Sequence, residues 1–224
     1  MRRTWIVASL VMLWALPARA QDSGSEEEAA APLSSTPTAQ QKPKYNEVEH
    51  GFFVGAMTGL ALTLVPGGAN FDGSKAGLAT GQSGGVELGF EPIPALALGI
   101  IAVGSAASTS SAYQGTCDPA ANGSCPHGNY TALTLGIDAR LNLSLGADAN
   151  DVRRTYFYVR AGAGYSILAP KGLLQNELLV FGGPGIEYYT HLRHFSIGIE
   201  ADATYGLTNK DLAILIQPQV RYTF

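Results

Sequence analysis

The stretch at residues 211–224, DLAILIQPQVRYTF, constrains the fold more than any other part of the sequence. From Leu212 onward every second residue is apolar, and the run ends in Tyr222 and Phe224. A period of two with one apolar face is typical of a β-strand that separates two different environments. Pro218 has no N–H group to donate to a neighbouring strand, so it predicts a bulge or a local edge.

The same period of two recurs upstream, and it predicts seven further strands. They cover about residues 50–64, 78–90, 95–105, 131–145, 155–168, 177–189 and 195–206. Each segment has the length that a tilted membrane strand needs, and the total is even. Links 91–94 and 190–194 are short, with Glu91-Pro92-Ile93-Pro94 predicted as a tight turn, whereas links 65–77 and 106–129 are long. We therefore predict an all-β fold over residues 45–224, an eight-stranded antiparallel transmembrane up-and-down β-barrel.

The N-terminal residues indicate export. Arg2 and Arg3 precede a short apolar core, and Ala18-Arg19-Ala20 has the pattern of a cleavage site, so residues 1–20 are predicted to be a signal peptide. Residues 21–44 are rich in Glu, Ala, Ser, Thr, Gln and Pro, which predicts a disordered periplasmic segment. It could be a spacer or a contact segment. We expect a location in the cell outer membrane with both termini in the periplasm.

Composition narrows the class further. Hydrophobic residues make up 46% of the chain, yet no apolar run after the N-terminus reaches the roughly 18 residues of a membrane helix. The 27 glycines and the 14% of charged residues suit a barrel. Removing Arg2, Arg3 and Arg19 leaves 14 − 3 = 11 basic residues against 18 acidic ones, which argues against nucleic acid as a partner.

Charged side chains within the predicted strands all fall on the face opposite the apolar one. An arginine at the lipid midplane costs about 2–4 kcal/mol, so this face must be the barrel interior. Eight strands enclose a space that side chains just fill, which favours a hydrogen-bonded plug that includes Tyr156, Tyr158 and Tyr189. An ion-conducting path and catalytic carboxylates are the alternatives. The predicted interior charge network is Glu87, Asp138, Arg140, Arg160, Glu187, Glu200, Asp202 and Arg221.

The two cysteines, Cys117 and Cys125, both lie in the long link 106–129. An exported protein meets an oxidising compartment, so we predict a disulfide between them. Its purpose could be to stiffen a binding loop or to resist proteases.

No catalytic residue, cofactor or metal ligand is predicted. A Ser-His-acid site for lipid chemistry would need a histidine near the outer rim on the lipid-facing side. His50, His191 and His194 instead fall at predicted periplasmic ends, and His127 falls in the long link. The spacing of His191 and His194 could suit a metal ion, but a solvated turn is favoured.

The final strand, with Val220, Tyr222 and the terminal Phe224, resembles that of bacterial outer-membrane β-barrels. The resemblance implies a C-terminal signal read by the barrel assembly machinery, with outer-membrane lipid as the surroundings. Residues 46–52, 155–174 and 183–201 resemble the CglE-like barrels of myxobacterial adventurous gliding motility. That resemblance implies a non-enzymatic component, structural or adhesion-linked, with other envelope or motility proteins as partners. An adhesin, a narrow channel or a lipid-modifying enzyme remain the alternatives.

Overall fold

Eight antiparallel strands form one closed barrel in which each strand pairs with the next and the last pairs with the first. The computed structural model describes residues 48–65, 77–111, 113–117, 119–149, 151–192 and 194–224. The predicted signal peptide 1–20 and segment 21–44 lie outside the described residues. The strands are β1 Phe52–Val65, β2 Gly77–Ile93, β3 Leu96–Ser108, β4 Tyr130–Ser144, β5 Thr155–Ala169, β6 Glu177–Tyr189, β7 Phe195–Gly206 and β8 Leu212–Thr223.

One short helix, α1 Pro119–Asn122, lies between β3 and β4. Within the described residues, no helix is long and apolar enough to cross a membrane. The predicted barrel is confirmed, and most strand ends fall within a few residues of the predicted ones.

The end of β2 differs from the prediction. Residues 91–94 were expected to form a tight turn, but β2 continues to Ile93, with a register shift between Phe90 and Ile93. The irregularity accommodates Pro92, which cannot donate a hydrogen bond to a ladder. Glu91 is thereby a strand residue, and its N–H donates to the Gly51 carbonyl at 2.9 Å.

Of the two alternatives predicted at Pro218, the bulge is wrong, whereas the local edge is found as a short lapse in pairing. The pairs Met57↔Gln219 and Leu60↔Ile216 lie on either side of the proline and have the same register. Pairing to β1 lapses only between them, while Pro218 stays paired with Ile199 of β7. Because the missing N–H group faces β1, the proline produces a short gap in one ladder and leaves the strand in line.

The strands are steeply tilted. Stepping from Val54 through the paired residue of each successive strand returns to β1 at Leu64, ten residues further along. With about 3.3 Å per residue and about 4.8 Å between strands, this stagger corresponds to a tilt of about 40°. Such a tilt is usual for membrane barrels.

Two belts of outward-facing aromatic side chains bound an aliphatic band. One belt lies at the end that holds both ends of the barrel chain, here called the terminus end, and it comprises Phe52, Phe90, Phe157, Tyr188 and Tyr222. The other, Tyr165 and Tyr205, lies towards the opposite end, here called the loop end. Phe157 and Tyr165 are eight residues apart on β5, a height of about 20 Å at this tilt. The band between them matches the apolar zone of a membrane barrel.

Candidate functional site

The barrel interior is filled by charged side chains that converge from six strands. All eight predicted network residues are buried, none more than 7% exposed. Arg140 lies at the centre, where its Nη2 donates to Glu87 Oε2 at 2.6 Å and to Gln219 Oε1 at 3.1 Å. The same nitrogen is 3.6 Å from Glu200 Oε2. The Arg140 guanidinium also lies 4.7 Å from the centre of the Tyr158 ring.

Arg160 continues the network towards the loop end. Its Nε donates to Asp138 Oδ2 at 3.1 Å, and its Nη1 donates to Glu200 Oε1 at 2.5 Å and to Asp202 Oδ2 at 3.3 Å. One guanidinium therefore holds three carboxylates together. Two of them are also near Arg140, so the two arginines form one continuous ion-pair network.

Neutral groups complete the network. Tyr158 Oη donates to Glu200 Oε2 at 2.9 Å, and Ser196 Oγ donates to Glu187 Oε1 at 2.5 Å. A Cβ atom at Gly99 would come within 2.7 Å of Asp138 Oδ1 and 2.9 Å of Glu87 Oε1. Glycine at that position therefore leaves the space in which these two carboxylates meet.

A second cluster closes the terminus end. Arg221 Nη1 donates to Glu91 Oε1 at 2.6 Å, and His50 Nδ1 lies 2.7 Å from Glu91 Oε2. The Arg221 guanidinium stacks on the Phe53 ring at 4.0 Å from its centre. Tyr189 Oη completes the cluster, 3.5 Å from Glu91 Oε1. These side chains fill the barrel where the chain enters and leaves it.

Two loops pack over the loop end and form a cap. We define the cap as the described residues of the β3–β4 loop (109–129) and of the β5–β6 loop (170–176). Tyr113 and Leu173 are fully buried in it, and Leu174 is 2% exposed. Thr116 N–H donates to the Leu173 carbonyl at 3.0 Å, which joins the two loops. The cap also packs on the strand residues Ala79, Ala107, Tyr130 and Leu168.

The predicted disulfide between Cys117 and Cys125 is confirmed. It closes a loop of sequence separation 8 within the cap, with the two Cα atoms 5.8 Å apart. The bridge encloses helix α1. A segment rich in small polar residues is thus held by a covalent link and by the buried Tyr113.

A cavity lies between the cap and the charge network. Its volume is about 70 Å³, which is room for a few water molecules. Apolar side chains such as Ile101 and Phe181 line one part. Arg160, Asp202, Glu177 and polar neighbours line the rest.

Two acidic residues, Glu177 and Asp211, lie at the loop-end rim of this cavity. Glu177 Oε2 accepts hydrogen bonds from the N–H groups of Thr208 and Asn209 at 3.0 and 2.8 Å, so it anchors the β7–β8 loop. Burial and the neighbouring Glu177 carboxyl raise the pKa of Asp211 to about 7. A Cβ atom at Gly206 would collide with both carboxyl groups, so this glycine allows their close approach.

His50, His191 and His194 lie at the terminus end, whereas His127 is exposed in the cap. His194 Nδ1 is 2.9 Å from the Thr223 carbonyl oxygen and 3.0 Å from Glu49 Oε2. His191 is exposed. Within the described part of the chain, no three His, Cys, Asp or Glu side chains converge to hold a metal ion.

Several interior residues were not predicted from the sequence. Glu91 was assigned to a turn, although it anchors the terminus end. Glu177 and Asn209 were not singled out, because they lie at or beyond strand ends where alternation is weak. Gln217 and Gln219 lie on the polar face of the final strand. Their position on this face indicates that they point into the interior. In the structure Gln217 Nε2 donates to Ser83 Oγ there, at 3.0 Å.

The comparisons with known proteins concern the fold. No family model matches the sequence, and the search of curated proteins gives no match. Neisserial surface protein A superposes with a TM-score of 0.54 at 14% identity, over 78% of this chain and 97% of that chain. The N-terminal β-barrel domain of Pseudomonas aeruginosa OprF gives 0.46 at 12% identity, over 77% and 98%. The attachment invasion locus protein Ail of Yersinia pestis gives 0.39 at 14%, over 79% and 100%.

The fold is therefore that of a small eight-stranded transmembrane β-barrel, as in the Neisserial surface protein. Its interior chemistry consists of ion pairs and hydrogen bonds. The carboxylates of the network are engaged by arginine, tyrosine and serine side chains, an arrangement that stabilises a filled barrel.

Proposed function

We propose that this chain is a non-enzymatic barrel of the cell outer membrane that presents its cap at the cell surface. Both termini then lie in the periplasm. The aliphatic band between two aromatic belts supports insertion in a membrane. Two of the three links at the terminus end, 94–95 and 190–194, are short, whereas the β4–β5 link 145–154 is longer. The two short links support this orientation, since membrane barrels usually have short periplasmic turns.

The packed cap is the observation that carries the proposal. The interior is occupied by the charge network, and the loop end is covered by a cap with its own buried core. A partner therefore meets the outside of the cap. A disulfide-closed, folded surface suits contact with another macromolecule because less conformational freedom is lost on binding.

We further propose a structural or adhesion-linked role in a surface motility apparatus. The support is the resemblance of residues 46–52, 155–174 and 183–201 to the gliding-motility barrels. On this proposal the barrel joins envelope or motility proteins in the periplasm to the cell surface. Segment 21–44 is the proposed periplasmic contact, and nucleic acid is not a partner because the exported chain is acidic.

Val220, Tyr222 and Phe224 are proposed as the assembly signal. Their side chains face outward on β8 and just after it, with exposed fractions of 43%, 43% and 70%. A row of this kind stays available to the barrel assembly machinery until the barrel closes. Outer-membrane lipid then covers it.

A deletion strain tests the proposed function. We expect deletion to impair surface-associated movement or adhesion and to leave lipid A and small-solute uptake unchanged. Complementation with the full chain should restore movement. Normal movement together with altered lipid A, measured by mass spectrometry, would instead favour a lipid-modifying enzyme. Normal movement with reduced uptake would favour a channel.

A further inference from the structure

The barrel interior carries an excess of buried negative charge. Among the described residues four arginines are buried, and one of them, Arg154, pairs with Asp148 in the β4–β5 link. The other three, Arg140, Arg160 and Arg221, are outnumbered by seven buried acids: Glu87, Glu91, Asp138, Glu177, Glu187, Glu200 and Asp202. Uncompensated ionised groups in a poorly solvated interior are strongly destabilising. The excess must be neutralised by bound protons or by bound cations.

The excess is concentrated at the cavity beneath the cap. Glu177, Asp202 and Asp211 all line it, and Arg160 is the one basic side chain that does so among the described residues. Arg160 is already bonded to Asp138, Glu200 and Asp202. The cavity wall therefore has more carboxylates than its single guanidinium can neutralise.

Asp202 supplies an unused ligand atom at this cavity. Its side chain is buried, with an exposed fraction of 4%. Its Oδ2 accepts from Arg160, whereas its Oδ1 is buried and has no hydrogen-bond partner among the described residues. A buried carboxylate oxygen without a partner costs free energy unless water or an ion contacts it.

We propose that this cavity binds a hydrated monovalent cation, of the sodium or potassium type, beside Asp202. The described acids do not converge closely enough to hold a metal ion by direct ligation. A divalent cation would need several oxygen ligands at fixed short distances. A monovalent ion that keeps part of its hydration shell fits both the carboxylate wall and the room for a few waters. The partly exposed Asp211 stands where such an ion would enter from the loop end.

The first test is thermal unfolding of the refolded full chain in detergent. The folded fraction at each temperature is measured by heat-modifiable gel mobility. Sodium or potassium chloride is compared with N-methylglucamine chloride, whose cation is too large for the cavity, at equal ionic strength. We expect the small cation to raise the midpoint by about 3 °C. Asp202→Asn and Asp211→Asn should each reduce or abolish this difference. The matched control Asp151→Asn, in an exposed loop away from the cavity, should keep it.

Equal midpoints in the two salts would overturn the proposal and indicate that protons neutralise the acids. An undiminished difference in both Asp202→Asn and Asp211→Asn would also overturn it. Crystals grown with thallium(I) in place of potassium give the position directly. We expect an anomalous peak inside the cavity beside Asp202, and a cavity with no peak would contradict the assignment.

Discussion

Glu91 Oε1 and Arg221 Nη1 lie 2.6 Å apart and join positions separated by 130 residues. The pair spans β1 and ties the last strand to the irregular end of β2. It therefore forms only when the barrel has closed. Arg221 is also 3.5 Å from Glu187, so the contact connects the terminus end to the central network.

Replacing Glu91 tests this closure. Glu91→Gln leaves the buried Arg221 without its nearest carboxylate, and we expect unfolding to be easier by about 3 kcal/mol. Urea unfolding of the refolded barrel measures the change. Asp151→Asn makes the same acid-to-amide change in an exposed loop and should be neutral. Equal stability of the two variants would show that the pair contributes nothing.

The inside and outside faces of β5 can be distinguished by two neighbouring substitutions. Val159 is 47% exposed on the lipid face, whereas Arg160 is 2% exposed in the interior. We expect Val159→Arg to cost about 2–4 kcal/mol and to hinder insertion. Arg160→Leu should still insert, with a less stable interior. Heat-modifiable gel mobility measures the folded fraction of each variant. Equal folding of the two variants would contradict the assignment of the lipid-facing and interior sides of β5.

The cap should depend on its disulfide. In the chain-entropy view, a loop of this length gains about 2.5 kcal/mol from closure. We expect the double variant Cys117→Ser, Cys125→Ser to be cleaved faster by protease, up to about 70-fold, within residues 109–129. The midpoint of barrel unfolding should hardly change, because the bridge is local to the cap. Equal cleavage rates would mean that Tyr113 and Leu173 alone hold the cap.

Asp211 should give a pH dependence of known sign. The pKa of Asp211 is raised to about 7 from an ordinary 3.8. The folded state thus binds the proton more tightly, and this stabilisation is full below about pH 4 and is lost as pH rises through 7. Asp211→Asn removes it. The stability difference between wild type and this variant should therefore fall from pH 4 to pH 8, as measured by urea unfolding, and a constant difference would contradict the assignment.

The alternation of apolar and polar residues predicted the barrel, because successive residues of a strand face lipid and the barrel interior in turn. The same rule located all eight network residues by face. It failed at Glu91, since Pro92 and Pro94 resemble a turn, and at Glu177, which starts its strand. The cap was beyond prediction because Tyr113 and Leu173 are distant in sequence and lie in loops without periodicity. Their contact depends on how the barrel brings two loops together.

The surface display of the cap is the central claim, and cysteine labelling on intact cells tests it most directly. One variant carries Lys171→Cys in the exposed part of the cap, and the other carries His191→Cys at the exposed terminus end. Cys117 and Cys125 are bridged and should not react. We expect a membrane-impermeant maleimide to label Lys171→Cys on intact cells, and to label His191→Cys only after the outer membrane is opened. Labelling of His191→Cys alone on intact cells would contradict the account.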